Sequence, residues 1–466
     1  MMIHKLGEKF TDIFQKNMPD AFVFALSLTF ITAITAYFWM DASAVKVIES
    51  WYDGFWMLLE FGMQMVLLVI TGFCIALSPL VKIAIDRLAT IIKSPKQVYF
   101  FVILIGTLLA LVSWGWIVIT AVLARELAIR IKGINYPFLI ACVYFSGVIW
   151  VSGLSSSIPL LLNTENNFII EAAILDNTIP SALTLGSGLN IAMLFLFMIL
   201  APVIMVLLVP KADKKKELAF MLGAEKEQKS VTIKEEAQQL TLPFRAISDT
   251  LNNSSILQYC VVFAGLFYIF YHFATKGFDL NLNIMIFIFL MLGLALHLTP
   301  MRYVIAMKRA SGNVSGILFQ YPFYAGIMGI MIYTGLGEKL AYWMASVATL
   351  DSFPFFAYLS GALVNFAIPS AGGEFAVIGP TIIKAVQEIG AGLPPDEITN
   401  LISRAALSVA YGESLTNLMQ PFYLLLILPV MGTGIKIQAR DIMGYLVIPF
   451  VFFFLLQTIV ITWWPM

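Results

Sequence analysis

Residues 353–389 read FPFFAYLSGALVNFAIPSAGGEFAVIGPTIIKAVQEI, and this stretch decides the fold. It is apolar enough to lie in lipid, yet it is too long for one membrane-spanning helix, which needs about 20 residues. At its middle, Pro369-Ser370-Ala371-Gly372-Gly373-Glu374 is a cluster of residues that interrupt helices. Such a stretch predicts a re-entrant helical hairpin, whose irregular backbone is tolerated only inside protein or beside a wet cavity.

The composition of the whole chain agrees with a membrane environment. Of its 466 residues, 60% are hydrophobic and 12% are charged, whereas soluble domains carry roughly 25% charged residues. The 28 basic and 28 acidic residues cancel, so no net charge attracts a nucleic acid. Cys74, Cys142 and Cys260 lie in apolar runs without metal-ligand or disulfide spacing, which indicates packing roles. We expect an all-α polytopic membrane protein.

A second hairpin is predicted in the first half of the chain, at residues 98–130. Basic side chains flank this run on both sides and favour the cytoplasm at both ends. Ser113-Trp114-Gly115-Trp116 at its middle can form the turn. A single long tilted helix is the alternative interpretation of this run.

Each predicted hairpin is followed by an apolar run that small polar residues interrupt. In residues 136–162 the interruption is Ser152-Gly153-Leu154-Ser155-Ser156-Ser157, and in residues 399–431 it is Gly412-Glu413-Ser414-Leu415-Thr416-Asn417. The two halves therefore repeat the same order of parts. One additional crossing before the second hairpin would turn it over, so we expect an inverted repeat, which is the architecture of many secondary transporters.

A charged segment at residues 211–255 separates the two halves. Its lysines predict a cytoplasmic linker between an N-terminal repeat, residues 1–210, and a C-terminal repeat, residues 256–466. The first apolar run, residues 21–40, is longer than the apolar part of a signal peptide. It therefore predicts a first transmembrane helix preceded by a cytoplasmic amino terminus.

The helix interruptions predict a binding site for an organic anion. A helix that restarts within the membrane presents N–H groups and the positive end of its dipole, and carboxylates bind such ends. For any one small polar residue, close helix packing is the alternative role. The expected contributors are the glycines and polar residues at the breaks: Ser113, Gly115, Gly153, Ser155, Ser156, Ser157, Asn365, Ser370, Gly372, Gly373, Gly412, Ser414, Thr416 and Asn417.

Two acidic residues, Glu374 and Glu413, lie within these breaks. A charge at the bilayer centre costs at least about 2.5 kcal/mol on insertion scales, so buried acids call for an explanation. Either residue could carry a coupling proton, or help to hold Na⁺ at the Gly412–Asn417 break. The alternative role for each is a buried helix cap. Arg404 is predicted to extend toward the membrane surface, and its alternative role is to counter an anionic substrate.

A series of motifs points to a known family. They are DGFW at 53–56, FGMQM at 61–65, YP at 136–137, FQYPFYAG at 319–326, NFAIPS at 365–370, AYGE at 410–413, MQPF at 419–422 and DIMGY at 441–445. In order and spacing these motifs resemble the bacterial short-chain fatty acid transporter family, which is similar in design to the wider ion transporter superfamily. Ser414-Leu415-Thr416-Asn417 is only similar to the Ser-Asn-Thr triplets of dicarboxylate members.

The resemblance implies uptake of short monocarboxylates, such as butyrate or acetoacetate, across a bacterial inner membrane. It also implies a homodimer with an elevator-like moving domain. Coupling to H⁺ or Na⁺ is expected because an anion entering an inside-negative cell loses about 2.3 kcal/mol per 100 mV. Trp114, Trp116 or Phe375 would supply apolar walls for the alkyl chain, and no other cofactor is expected.

Three other functions are open at this stage. An intramembrane hydrolase would need a nucleophile with a base or a metal site, and the three histidines of the chain show no such pattern. Inverted repeats with broken helices also build channels, so an anion channel is a rival. A C4-dicarboxylate or other organic-anion carrier is the nearest rival. A second carboxylate would need a second anion-binding site, and the sequence shows no dedicated one.

Overall fold

The computed structural model describes residues 2–112, 117–154, 156–163, 167–171, 173–223, 232–242, 244, 246–277, 282–311 and 314–466. Within these ranges the regular structure is helical and contains no strand, which confirms the all-α class. Six helices in the described ranges are long and apolar enough to cross a membrane, or up to eight if each of two bent pairs counts as one span. The molecule is therefore a multi-pass membrane protein.

The first half of the chain begins with helices that capping side chains delimit. Asp20, Ser78 and Asn135 each accept a hydrogen bond from a backbone N–H of the first turn that follows. The helices are α1 (Met2–Asn17), α2 (Ala21–Trp39), α3 (Ala44–Gly54), α4 (Leu59–Ala76), α5 (Pro79–Ile91), α6 (Pro95–Val112), α7 (Ile117–Arg130), α8 (Tyr136–Ser146), α9 (Ser157–Leu162), α10 (Phe168–Glu171) and α11 (Gly188–Leu207).

The linker and the second half complete the order of elements. The linker contains α12 (Leu218–Leu222), α13 (Ile233–Gln239) and α14 (Ile247–Asn252). The second half contains α15 (Ser255–Lys276), α16 (Leu282–His297), α17 (Pro300–Ala310), α18 (Ser315–Tyr333), α19 (Leu336–Ser346), α20 (Phe353–Val364), α21 (Ala371–Ile389), α22 (Pro395–Thr416), α23 (Leu424–Met431) and α24 (Val447–Trp463).

The linker is less solvated than its charge pattern suggests. Leu218 of α12 and Ala237 of α13 are buried, and Glu236 of α13 forms an ion pair with Arg309 of α17. Most charged side chains of the described linker residues are exposed, whereas Leu218 and Ala237 pack against the helices. The linker is therefore docked on the helical body.

The two halves show the same order of parts. Each contains a long helix followed by a short angled one (α4–α5, α18–α19), a helix pair (α6–α7, α20–α21), an interrupted helix (α8–α9, α22–α23) and a closing helix (α11, α24). The chain bends by 62° between α4 and α5, where Pro79 lacks the N–H that a continuing helix needs. The opposite orientation of the two halves stays a prediction.

Glycines let the first helix of each pair approach the interrupted helix that follows it. A Cβ on Gly106 of α6 would lie 2.2 Å from Ser146 Oγ of α8. A Cβ on Gly412 of α22 would lie 2.1 Å from the Tyr358 carbonyl oxygen of α20. Neither position has room for a side chain: at Gly106 the space is taken by the Ser146 side chain, and at Gly412 by the backbone of α20.

The predicted break at Gly412–Asn417 is wrong in its position. α22 continues through Gly412 to Thr416, and the interruption extends from Asn417 to Tyr423, beginning with a 3₁₀ turn over Asn417–Met419. The helical segments on either side of it, Pro395–Met419 and Leu424–Met431, are bent by 45°. Gly412 accommodates the passage of α20, and this packing outweighs the cost of about 1 kcal/mol that glycine carries in a helix.

The helices form two groups according to their contacts. In one group, α2, α3 and α4 pack on α18, and α16 packs on α4. In the other, the pairs α6–α7 and α20–α21 pack with the interrupted helices and with α11 and α24. α4 and α18 contact the second group at α7 and α23. The predicted site residues that the structure describes lie in the second group.

Candidate substrate site

The interruption between α8 and α9 lies between the two helix pairs. Gly153 packs against the end of α6, where a Cβ on it would lie 2.2 Å from the Leu111 carbonyl oxygen. The N–H of Leu154 donates to that same oxygen at 2.7 Å. On the other side, a Cβ on Gly372 would lie 3.7 Å from Ser157 Cβ. The end of α6, this interruption and the start of α21 therefore adjoin.

The interruption between α22 and α23 joins the same cluster through side-chain hydrogen bonds. Asn365, which follows α20, donates through Nδ2 to Asn417 Oδ1 at 3.1 Å. Gln420 donates through Nε2 to the same oxygen at 2.8 Å and to the Asn365 carbonyl at 3.1 Å. The Ser414 hydroxyl donates to the Val148 carbonyl. Asn365 and Asn417 therefore belong to one buried network, and Ser414 of α22 separately bonds the segment that follows α8.

Two tyrosines satisfy backbone carbonyls that the interruptions leave open. The Tyr144 hydroxyl of α8 donates to the carbonyls of Asn417 and Gln420. The Tyr423 hydroxyl donates to the Pro369 carbonyl at 2.9 Å. A buried carbonyl without a donor costs roughly 1–3 kcal/mol, so these hydroxyls stabilise the irregular backbone. Sequence analysis missed both tyrosines because each lies in an apolar run that gives no polar signal.

A small cavity of about 30 Å³ lies between the two interrupted helices. This volume holds a water molecule but is too small for a four-carbon acid, so the site is closed in this conformation. Its polar lining comes from Tyr144, Ser414, Asn417 and Tyr423. Its apolar lining includes Ile117, Val148, Trp150, Leu418 and Leu426.

Glu374 and Glu413 are both completely buried beside this network. Glu413 Oε1 accepts a hydrogen bond from Asn417 Nδ2 at 3.0 Å. Glu413 Oε2 and both carboxyl oxygens of Glu374 have no hydrogen-bond partner among the described residues. A helix cap requires bonds from backbone N–H groups, and neither acid makes such a bond within the described ranges.

The remaining predicted residues differ in their surroundings. Ser156 Oγ is buried without a hydrogen-bond partner in the described part of the chain. Ser370 precedes α21 but forms no capping hydrogen bond with its side chain. Gly373 faces α18, where its Cβ position is 3.4 Å from Met328 Sδ. The Thr416 hydroxyl donates to the Gly412 carbonyl at 2.8 Å, within its own helix.

Several predictions change or lie outside the structure. The sodium prediction loses the unwound carbonyls on which it rested, because Gly412–Thr416 is helical. Phe375 is buried but does not line the cavity, and Cys260 is exposed on α15, contrary to its predicted packing role. Ser113, Trp114, Gly115, Trp116 and Ser155 lie outside the described residues.

Two arginines of the second helix group are bound to helix ends and are not free to meet an anion. Arg404 of α22 donates to the carbonyls of Ile461 and Trp464 at 2.7 and 2.8 Å, at the end of α24. Arg125 of α7 donates to the carbonyls of Met431 and Thr433, each at 2.7 Å, at the end of α23. A guanidinium satisfies two open carbonyls at once. Arg404 therefore caps the end of α24, and its extension toward the membrane surface stays a prediction.

Comparison with known proteins identifies the family. The family model described as "Short chain fatty acid transporter" matches residues 2–464. The chain belongs to the short-chain fatty acid transporter family. It is 35% identical over 456 residues to a protein of Haemophilus influenzae, and 35% identical over 454 residues to one of Escherichia coli, with 97% of each chain covered. Both relatives are provisionally named short-chain fatty acid transporters.

Solved structures show more distant likenesses to this member of the short-chain fatty acid transporter family. The YdaH transporter of Alcanivorax borkumensis is 17% identical, with 98% of both chains covered and a TM-score of 0.43. MtrF of Neisseria gonorrhoeae, described among antimetabolite efflux pumps, is 17% identical, with 98% of this chain and 97% of that chain covered and a TM-score of 0.41. Membership of a transporter family also decides against the hydrolase alternative.

Proposed function

We propose that this protein is a secondary transporter that takes short-chain monocarboxylates, such as butyrate or acetoacetate, into a bacterial cell across the inner membrane. The observation that carries the proposal is the meeting of the helix interruptions around a small cavity lined by both polar and apolar residues. Family membership supports the substrate class.

The substrate carboxylate would bind where polar groups converge. The amino-terminal turn of α21 presents backbone N–H groups beside Ser157. Ser156, Ser414 and Asn417 would supply further hydrogen bonds. The short alkyl chain would lie against the apolar residues that line the cavity, such as Val148 and Leu418. Because the cavity is smaller than the substrate, the helices around it would have to separate for binding.

An elevator-like movement fits the division of the helices into two groups. The second group would move against α4 and α18, which belong to the first group and contact it at α7 and α23. The start of α21 also touches α18, through Gly373 and Met328. In this proposal the first group forms the scaffold and the dimer contact of a homodimer. A cation, H⁺ or Na⁺, would offset the charge of the anion.

The proposal is tested with purified protein in liposomes. Radiolabelled butyrate should enter saturably, and unlabelled butyrate inside the vesicles should accelerate the entry of label by counterflow. Excess acetoacetate should compete, whereas succinate should compete weakly. A conductance that never saturates would support a channel, and equal competition by succinate would support a dicarboxylate carrier.

A further inference from the structure

Among the described residues, the buried site contains two acids and no base. Glu374 and Glu413 are both fully buried. Within the described ranges, no Lys, Arg or His side chain forms an ion pair or a hydrogen bond with either carboxyl group, and Arg125 and Arg404 are bound to helix ends. An anionic substrate would therefore enter a region that already holds acidic groups. Charge balance must come from a cation that the substrate brings with it.

The neighbouring elements supply phenols rather than cations. The titratable groups around the irregular segments are tyrosines: Tyr144 of α8 and Tyr423 after α22 donate to carbonyls there, and Tyr321 and Tyr324 of α18 pack on Phe422. Of the helices that pack on α21, α9 contains no titratable residue, and Tyr358 of α20 donates to Gln457 Oε1. On α19, Lys339 donates to the Trp39 carbonyl. None of these groups is positioned to neutralise Glu374.

The two acids differ in how firmly they are held. Glu413 lies in the last turns of α22 and is hydrogen bonded to Asn417, which in turn bonds Asn365 and Gln420. Glu374 lies in the first turn of α21, and neither of its carboxyl oxygens has a hydrogen-bond partner among the described residues. Glu374 is thus the acid that can accept a new bond without breaking the network.

The location of Glu374 links it to the substrate. Its carboxylate benefits from the positive end of α21, which is also where the substrate carboxylate is proposed to bind beside Ser157. Two negative charges at one helix end repel each other, so the arrival of the substrate favours the uptake of one proton. The unpartnered Ser156 hydroxyl lies at the start of the facing helix α9 and can donate to the remaining carboxylate.

We propose that Glu374 carries the coupling proton and that substrate and proton cross together, one of each. This inference rests on the proposed function. A proton from the outer solution binds a Glu374 carboxylate oxygen, and the new O–H group donates a hydrogen bond to the substrate carboxylate. On the inner side both are released, so that one RCOO⁻ and one H⁺ have moved and no net charge has crossed. A dicarboxylate would bring a second charge that no group in the site balances.

The experiment uses proteoliposomes that contain the wild type, Glu374→Gln, Glu374→Asp or Glu388→Gln. Glu388 is an exposed acid near the other end of α21 and is the matched control. Butyrate counterflow at equal pH is measured together with uptake driven by an inward proton gradient, an inward Na⁺ gradient or a potassium diffusion potential. Uptake into protein-free vesicles is subtracted, because undissociated butyric acid crosses lipid without a carrier.

We expect wild-type uptake to respond to the proton gradient, and to neither Na⁺ nor the membrane potential. In Glu374→Gln the ratio of proton-driven uptake to counterflow should fall by about tenfold or more, because the amide cannot gain and lose a proton. Glu374→Asp and Glu388→Gln should keep a measurable proton response.

Other results contradict specific parts of the proposal. Uptake driven by Na⁺ at equal pH, or a proton response that survives in Glu374→Gln, would overturn the role of Glu374. If Glu374→Gln is not recovered as folded protein, the wild-type responses to Na⁺ and to the membrane potential still decide the ion and the stoichiometry. Wild-type protein without butyrate counterflow would instead overturn the proposed function itself.

Discussion

At the scale of single residues, small side chains have two roles that sequence alone does not separate. Gly412 lies inside a continuous helix and lets α20 pass, whereas Gly153 lies where the helix is interrupted and packs on the Leu111 carbonyl. Both glycines occur in similar stretches of serine, leucine and glycine. Both glycines meet a neighbouring backbone at close range, Tyr358 of α20 at Gly412 and Leu111 of α6 at Gly153, so the local pattern does not tell which of the two lies at an interruption.

Replacement of Gly412 by alanine should therefore destabilise the protein without acting on substrate recognition. The added methyl group would overlap the Tyr358 carbonyl, and overpacking of this kind typically costs 1–3 kcal/mol. Thermal unfolding in detergent should show a lowered midpoint. Gly62→Ala in α4 is the control, because its Cβ would meet Tyr321 at an ordinary 3.7 Å. Equal stability of both variants would contradict the packing role of Gly412.

At the scale of elements, the interrupted helices depend on donors from elsewhere in the fold. The carbonyls at the end of α23 are bonded by Arg125 and by the Tyr136 hydroxyl. The break after α22 uses Tyr144, and the break after α20 uses Tyr423. A short helix such as α23 has a large share of its carbonyls at its ends, so these side chains hold the irregular segments in one conformation.

Arg125→Ala should loosen the end of α23 and lower the free energy of unfolding by about 1.5–3 kcal/mol, since hydrogen bonds from a charged donor are lost. Arg130→Ala, five residues later on α7, is the matched control. Arg130 forms ion pairs with Asp86 and Glu126 near the surface, and exposed pairs contribute about 1 kcal/mol or less. Denaturation monitored by the accessibility of buried Cys142 can compare the two variants. A larger loss in Arg130→Ala would argue against the capping role.

At the scale of the whole molecule, the two groups of helices meet along a surface where the proposed movement would occur. The start of α21 touches α18 through Gly373 and Met328, with 3.4 Å between the Gly373 Cβ position and Met328 Sδ. The stacked rings of Tyr321 and Phe422, whose centroids are 4.5 Å apart, join α18 to the second interruption. Movement of one group relative to the other must break these contacts.

A covalent link between the groups should therefore stop transport. Gly373→Cys combined with Met328→Cys, in a Cys260→Ser background, places two thiols at this contact. Oxidation should abolish butyrate counterflow in the double variant, and reduction should restore it. Each single cysteine variant serves as a control for the substitution itself. Undiminished counterflow in fully cross-linked protein would contradict movement at this surface.

The sequence by itself determined the class of the molecule and the order of its parts. Apolar runs longer than one span, with proline and glycine at their middles, admit few arrangements in lipid, because each backbone polar group there needs a partner. Residues 353–389 accordingly form α20 and α21 with an irregular link, and residues 136–162 form an interrupted helix. The small polar residues at the breaks identified most of the cluster that the structure brings together.

Only the tertiary structure decided where the second helix is interrupted, which side chains bond the free carbonyls there, and which of the two acids is hydrogen bonded. The hydrogen bonds that hold the irregular segments join residues far apart along the chain. They come from Tyr144, Gln420, Arg125 and Arg404. Local sequence patterns report helix periodicity and helix ends. They carry no information about which distant side chain arrives at a free carbonyl, since that depends on how the helices pack.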